Sequence, residues 1–154
     1  MKIAIVGAGI VGSTAAYYLS KEKDVEVTVF DHGPGQATKA AAGIISPWFS
    51  KRRNKAWYRM ARLGADFYQE LTSNLENDGY DTSFYDQSGV VLLKKDDGKL
   101  DGLYQYAETS LEESPIIGEL SIKNADELPK FTGFDRCLYA SGGARVEGAE
   151  LTAT

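Results

Sequence analysis

The sequence predicts an α/β fold in which a compact βαβ unit opens the chain and a mixed α+β region follows. Three observations carry this expectation. "KIAIV", Lys2 to Val6, is short, β-branched and runs directly into glycine, which is the pattern of a buried parallel strand. A helix-period stretch follows, and then "VEVTVFD", Val25 to Asp31, a second strand that ends on an acid. Beyond residue 80 the pattern changes to short strands and helices separated by glycine and proline turns.

Taken in order, Ile10 to about Lys23 reads as a helix. Ala15, Ala16 and Leu19 form a narrow apolar stripe, and lysines stand in the last turn. A right-handed crossover places the two flanking strands parallel. "GPGQ", residues 33–36, is a turn. Gln36 to Trp48, "QATKAAAGIISPW", is small and apolar where an ordinary second helix would show a polar face. A long helix is expected from Asn54, its N-cap, to Glu76. Trp57, Ala61, Gly64, Phe67, Tyr68, Leu71 and Leu75 fall on one face of it, and "NDGY" stops it. Ser88–Lys95 reads as a strand. The next helix carries Leu100, Leu103, Tyr104, Ala107 and Leu111 on one face and is ended by Pro115. A short strand and a short helix precede Pro129. "RCLYASGGARVEG" gives a strand, a glycine turn and a further extended piece. "AELTAT" starts a helix that is not completed, which reads either as a break within a longer protein or as a frayed tail.

Composition narrows the function classes. The chain has 154 residues, 43% hydrophobic and 25% charged, which is globular. Its one cysteine, Cys137, reads as a small buried residue; no disulfide can form within the chain, which fits a reducing cytoplasm. The apolar runs are too short to span a bilayer, and glycines interrupt the first of them in a way unlike a signal peptide. Net charge is −5, divided as +3 over residues 1–77 and −8 over residues 78–154. The basic half suits an anionic ligand, and the acidic half argues against nucleic acid as a partner. The basic cluster Lys51, Arg52, Arg53, Lys55, Arg59 and Arg62 reads as a solvated helix start, with Arg59 and Arg62 off the apolar stripe.

"GAGIVG" supplies Gly7, Gly9 and Gly12 in G-x-G-x-x-G spacing. Gly7 permits the tight turn out of the strand, Gly9 lets backbone approach a pyrophosphate, and Gly12 lets helix and strand pack closely. The phosphates would sit at the helix N-terminus, against unpaired N–H groups and the positive end of the dipole. Asp31, 19 residues past Gly12, would accept hydrogen bonds from ribose hydroxyls and repel a 2′-phosphate. A strand before, a helix after and an acid at the end of the next strand make this a dinucleotide signature, but NAD and FAD sites share it. His32, the sole histidine, either lies over the adenosine or is a lone exposed histidine; it has no partner at metal or catalytic spacing.

The chain resembles the FAD-dependent D-amino acid oxidase superfamily, which includes glycine oxidase, sarcosine oxidase and the D-amino acid dehydrogenases. "IAIVGAGIVGSTAAYYLSK" with "VTVFD" resembles the opening unit of these enzymes, and "ATKAAAGIISPW" resembles their second flavin motif. "ELPKF…CLYASGGARVEGAELT" is similar to a later stretch of the family. Two residues depart from the pattern: Lys39 stands where serine is usual, and Gly148 where proline is usual.

The resemblance implies a Rossmann-like FAD-binding unit with the second flavin motif over 1–48. A long helix over 49–80, a partial substrate domain over 81–140 and a segment over 141–154 that returns towards the FAD domain and is cut short follow, so the resemblance implies the N-terminal portion of a longer two-domain enzyme. It implies that Gly7, Gly9, Ile10 and Val11 approach the pyrophosphate, with Gly12 completing the signature. Asp31 and His32 border the ribose, and Ala37 and Thr38 sit near the phosphates. Lys39 either offers a cation to a phosphate or faces solvent. Ala42, Gly43 and Ile44 lie along the ribityl chain and isoalloxazine, so a bulky residue at Gly43 is expected to abolish flavin binding.

The implied chemistry is oxidation of the C–N bond of a small amine or amino acid by hydride transfer to FAD, with no metal. No side chain here stands out as a general base. Two other readings remain at this point: an NAD-dependent dehydrogenase, for which a third parallel strand is expected soon after residue 45, and a non-catalytic fragment that associates into homo-oligomers through an unpaired sheet.

Overall fold

A computed structural model describes residues 1–33, 37–51, 54–124 and 133–154. The expected turn at 33–36, Arg52 and Arg53, and the short helix before Pro129 lie wholly or largely outside the described residues. The N-terminal unit consists of β1 (Lys2–Val6), α1 (Ile10–Ser20) and β2 (Glu26–Phe30). The two strands run parallel, with Lys2 opposite Glu26 and Val6 opposite Phe30. α1 ends at Ser20, three residues earlier than expected, so the lysines are not in its last turn; Lys21 is its C-cap residue. β1 is half-buried rather than buried. Ile3 and Ile5 are partly covered, whereas Ala4 is exposed and Val6 is 89% exposed. A two-stranded parallel sheet with a helix on one face leaves the other face open.

The small apolar run divides into three pieces. α2 (Ala37–Ala40) is one turn, β3 (Ile44–Ile45) is a two-residue strand, and a 3-10 turn at Pro47–Phe49 drives Trp48 into the core at 0% exposure. Proline at the start of that turn suits its fixed φ. The long helix α3 (Lys55–Asn77) follows, capped by Asn54, whose side chain accepts the Trp57 N–H at 3.0 Å. Its apolar stripe is not covered along its whole length. Leu71 and Leu75 are buried, while Trp57 and Gly64 are exposed.

The second half is a three-stranded antiparallel sheet in the order β5 (Val90–Leu93), β7 (Arg136–Ala140), β6 (Leu120–Asn124). α4 (Asp97–Glu108) packs on it. This helix stops well before Pro115. Leu111 lies past its end yet still packs on the core around Trp48, Ala65, Ile117 and Ala140. Arg136 fixes α4 to β7 through Asp101 at 2.8 Å and Asp97 at 3.6 Å. A second core joins Leu71, Leu75, Phe84 and Leu151, and a third joins Leu100, Leu103 and Leu138.

A small third sheet ties the halves together. β8 (Ala144–Val146) pairs antiparallel with β3 on one side and with β4 (Tyr85–Asp86) on the other. β4 has no counterpart among the sequence expectations, because two residues are too few for a period-2 signal. α5 (Gly148–Leu151) then packs against α2. Residues 141–154 thus come back beside the small apolar run.

Candidate functional site

The glycine loop between β1 and α1 is held by its own backbone. Gly7 has φ +102°, a left-handed value that glycine takes freely, and its N–H donates to Phe30 O at 2.7 Å. Gly9 is the N-cap of α1 in extended conformation. A Cβ on Gly12 would stand 1.8 Å from Gly7 O, so close approach of helix to loop demands glycine there. The first turn of α1 therefore presents its N–H groups and dipole beside a loop with no side chains on its glycines.

Asp31 takes a part that sequence spacing does not reveal. Its Oδ2 accepts the Ala8 N–H at 2.6 Å and its Oδ1 accepts the Gly33 N–H at 2.7 Å. The carboxylate thus ties the end of β2 to the glycine loop and to the following turn.

Thr38 joins the second motif to the first. Its Oγ1 accepts the Ile10 N–H at 3.0 Å. A Cβ on Gly9 would lie 3.2 Å from the same oxygen. Gly43 has φ +66°, and a Cβ there would stand 2.0 Å from Val146 O. Val146 N–H in turn donates to Gly43 O at 2.9 Å. The glycine at 43 is thus required by the chain's own packing. Ala37, Ala40, Ala41 and Ala42 are exposed, as are Val11 (81%) and Ile44 (69%). Val6 at the end of β1 is exposed as well, so the residues flanking the glycine loop and α2 are small or apolar and uncovered.

Of the expected site residues, Gly7, Gly9, Ile10, Gly12, Asp31 and Thr38 are linked through these contacts, while Gly43 is held by Val146 and shares a cleft with Ile10 and Thr38. Val11, Ala37, Ala42 and Ile44 are exposed and make none of these contacts. His32 and Lys39 are exposed and make no side-chain hydrogen bond or ion pair among the described residues. Val146, Gly148 and Tyr68 were not expected at the site. They line a cleft of about 140 Å³ together with Ile10, Thr38 and Gly43. Tyr68 stacks on Tyr85 at 5.4 Å between centroids, and burial followed by the neighbouring Tyr85 pushes its phenol pKa up. Gly148 carried a signal in the sequence, as a departure from the expected proline; Tyr68 carried none beyond its place on a packing face. The helix start reads differently from its sequence expectation at one position. Arg62 is mostly buried, donates to the Glu113 carbonyl and pairs with its carboxylate at 3.8 Å, so it is not a solvated cation.

Comparison with known proteins gives a consistent set of relatives. The model of the FAD dependent oxidoreductase family matches residues 2–154. An uncharacterized oxidoreductase, YurR, of Bacillus subtilis (strain 168) is 42% identical over 153 residues, covering 96% of this chain and 41% of the relative. Glycine oxidase of Pseudomonas aeruginosa is 30% identical over 155 residues, covering 97% of this chain and 41% of the relative. Among solved structures, iminodiacetate oxidase from Chelativorans sp. BNC1 superposes with a TM-score of 0.87 at 29% identity, over 99% of this chain and 42% of that one. Glycine oxidase from Bacillus cereus ATCC 14579 gives a TM-score of 0.74 at 18% identity, over 97% of this chain and 42% of that one, a likeness of fold. The chain thus spans about two fifths of the length of these relatives. No helix among the described residues is long and apolar enough to cross a membrane.

Proposed function

Since this chain belongs to the FAD dependent oxidoreductase family, we propose that it supplies the FAD-phosphate and ribityl side of an enzyme that oxidises the C–N bond of a small amine or amino acid. One arrangement carries the reading: the glycine loop leaves no side chain over the N-terminus of α1, Thr38 holds the Ile10 N–H at its edge, and Val11, Ala37, Ala41, Ala42 and Ile44 each add exposed apolar surface. That surface suits a ligand with an anionic middle and a flat apolar end, which is the shape of FAD.

In this reading the remaining N–H groups of the first turn, with Gly9 and Val11, hold the pyrophosphate, Ile10 stands beside it with its N–H on Thr38, and Thr38 adds its hydroxyl proton. Asp31 accepts from the ribose hydroxyls while keeping the glycine loop in place, and His32 stands beside it. Lys39, exposed next to Thr38, offers a cation to the phosphates. Ala42, Gly43 and Ile44 border the ribityl chain and the ring. When bound, FAD supplies the acceptor for a hydride from the carbon next to the amine. The division into an FAD unit at 1–48, a helix at 49–80, a substrate-domain part at 81–140 and a return segment at 141–154 follows the same reading.

The substrate class rests on the relatives named glycine oxidase and iminodiacetate oxidase. The open face of the two-stranded sheet, with Ala4, Val6 and Phe30 exposed, supports association with further protein, including a second copy. The single buried Cys137 fits a reducing, cytoplasmic setting.

The NAD alternative loses its structural expectation. After residue 43, the strand that forms is β3, and it pairs antiparallel with β8 instead of joining β1 and β2. Titration of the full chain with FAD, followed by flavin absorbance and fluorescence, tests the proposal. The expected result is stoichiometric FAD uptake by the chain, with reduction of the bound flavin by glycine or an N-substituted glycine under anaerobic conditions expected of the longer enzyme that contains it. A colourless protein that retains NAD overturns it.

A further inference from the structure

The two departures from the family-like pattern, Lys39 and Gly148, both fall where α2 meets α5. Lys39 is exposed there. Gly148 is the tight point. A Cβ on it would stand 2.2 Å from the carbonyl oxygen of Thr38 and 3.1 Å from Thr38 Cγ2. Its φ is outside the left-handed region, so glycine is needed at this position for space and not for conformation. On the other side, Thr38 Oγ1 holds the Ile10 N–H at 3.0 Å and lies 3.2 Å from where a Gly9 Cβ would be. Thr38 is therefore seated between two glycines from opposite ends of the chain.

We propose that Gly148 is a positioning residue for the anion-binding end of α1. By letting α5 approach α2, it sets the depth at which Thr38 takes the Ile10 N–H. The hydroxyl keeps its own proton, which has no acceptor among the described hydrogen bonds and is left for an anionic ligand. Only this last clause rests on the FAD reading; the link from Gly148 through Thr38 to Ile10 is a property of the protein itself. On this chain's backbone, alanine at 148 would force Thr38 away from α1, because the obstructing atom is backbone and cannot rotate aside.

Amide hydrogen exchange at Ile10, read by NMR on the full chain, tests this without any cofactor. Alanine is the better helix former, so a general gain in helix stability cannot imitate the expected local loss. Gly148→Ala and Thr38→Val are each expected to speed Ile10 exchange about tenfold, the weight of one ordinary hydrogen bond. Ser13, whose N–H bonds Gly9 O at 2.9 Å, should keep its rate. Thr38→Ser should restore the wild-type rate, and Gly148→Ala should add nothing in a Thr38→Val background. FAD affinity should fall about tenfold in Gly148→Ala for the same reason. Unchanged Ile10 exchange in Gly148→Ala, or full additivity with Thr38→Val, overturns the proposal. Should Gly148→Ala fail to fold, Thr38→Val carries the test, and unchanged Ile10 exchange there overturns it equally. If the unmodified chain takes up no FAD while the exchange pattern holds, the flavin reading falls and the positioning role stands.

Discussion

Gly43 shows how one residue can answer to two demands. Its backbone is left-handed at φ +66°, and Val146 O stands 2.0 Å from where a Cβ would go. Leucine there meets both the conformational penalty of αL and a backbone collision. Gly43→Leu is therefore expected to destabilise the chain by about 3 kcal/mol, measured by urea unfolding, and to release the β3–β8 pairing along with any flavin affinity. A variant of full stability that merely lost flavin would return the glycine to the cofactor's account alone. Asp31 carries a similar double duty. Asp31→Asn keeps the shape but can present only one acceptor oxygen to Ala8 and Gly33, whose N–H groups now use both carboxylate oxygens. It is expected to loosen the glycine loop, seen as faster amide exchange at Ala8 or Gly33, before any ligand is added.

At the scale of elements, two joints set how α3 is held. The N-cap is simple: Asn54→Ala removes the acceptor of the Trp57 N–H and should cost about 1 kcal/mol. The C-terminal joint to α1 is electrostatic. Tyr17 donates to Asp78 at 2.5 Å, Lys21 donates to Tyr17 at 2.7 Å, and Lys21 also pairs with Asp78. The Lys21 ammonium, with Tyr17 second, holds the Asp78 carboxyl below the usual carboxylate range. Asp78 and then Tyr17 hold the Lys21 ammonium above its ordinary value. The signs follow directly. The Asp78 contribution is present above the unfolded carboxyl pKa, about 4, and is lost as pH falls through the lowered folded value. The Lys21 contribution is present below about pH 10.4 and is lost as pH rises through the raised folded value. Asp78→Asn should therefore flatten the acid limb of the melting temperature against pH; an acid limb identical to wild type would show that the joint contributes nothing. Sequence periodicity placed α3 to within a residue at each end, because its stripe and cap are local. It did not place this joint, whose partners are 61 residues apart.

For the whole molecule, the proposed FAD site predicts linkage. A ligand that binds only the folded chain stabilises it by about 2.7 kcal/mol at a hundredfold excess over Kd. For a chain of this size that corresponds to a rise of roughly 5–10 °C in Tm. FAD should produce it and NAD should not, and equal shifts by both would remove the preference for flavin. The same scale shows what could be read from residues alone. The βαβ unit and its glycine signature are continuous in sequence, and each glycine's task follows from local backbone geometry. The strand at Val90–Leu93, the strand at Leu120–Asn124 and the apolar face of α4 were equally legible, since period and composition report burial one element at a time. The end of α4 was misplaced because Leu111 keeps the apolar rhythm past the last helical turn while packing on the core from a turn.

What the sequence by itself determined was therefore the βαβ unit and its glycine signature, a helix N-terminus followed by a run of small residues. What only the tertiary structure decided was how that run is held. β8 and α5 come back from the far end of the chain to seat Gly43 and Thr38, through contacts between backbone atoms that no pattern of side chains announces. Local periodicity encodes which face of an element is buried. Close backbone approach between distant segments depends on how those faces assemble, and it becomes visible only once they have.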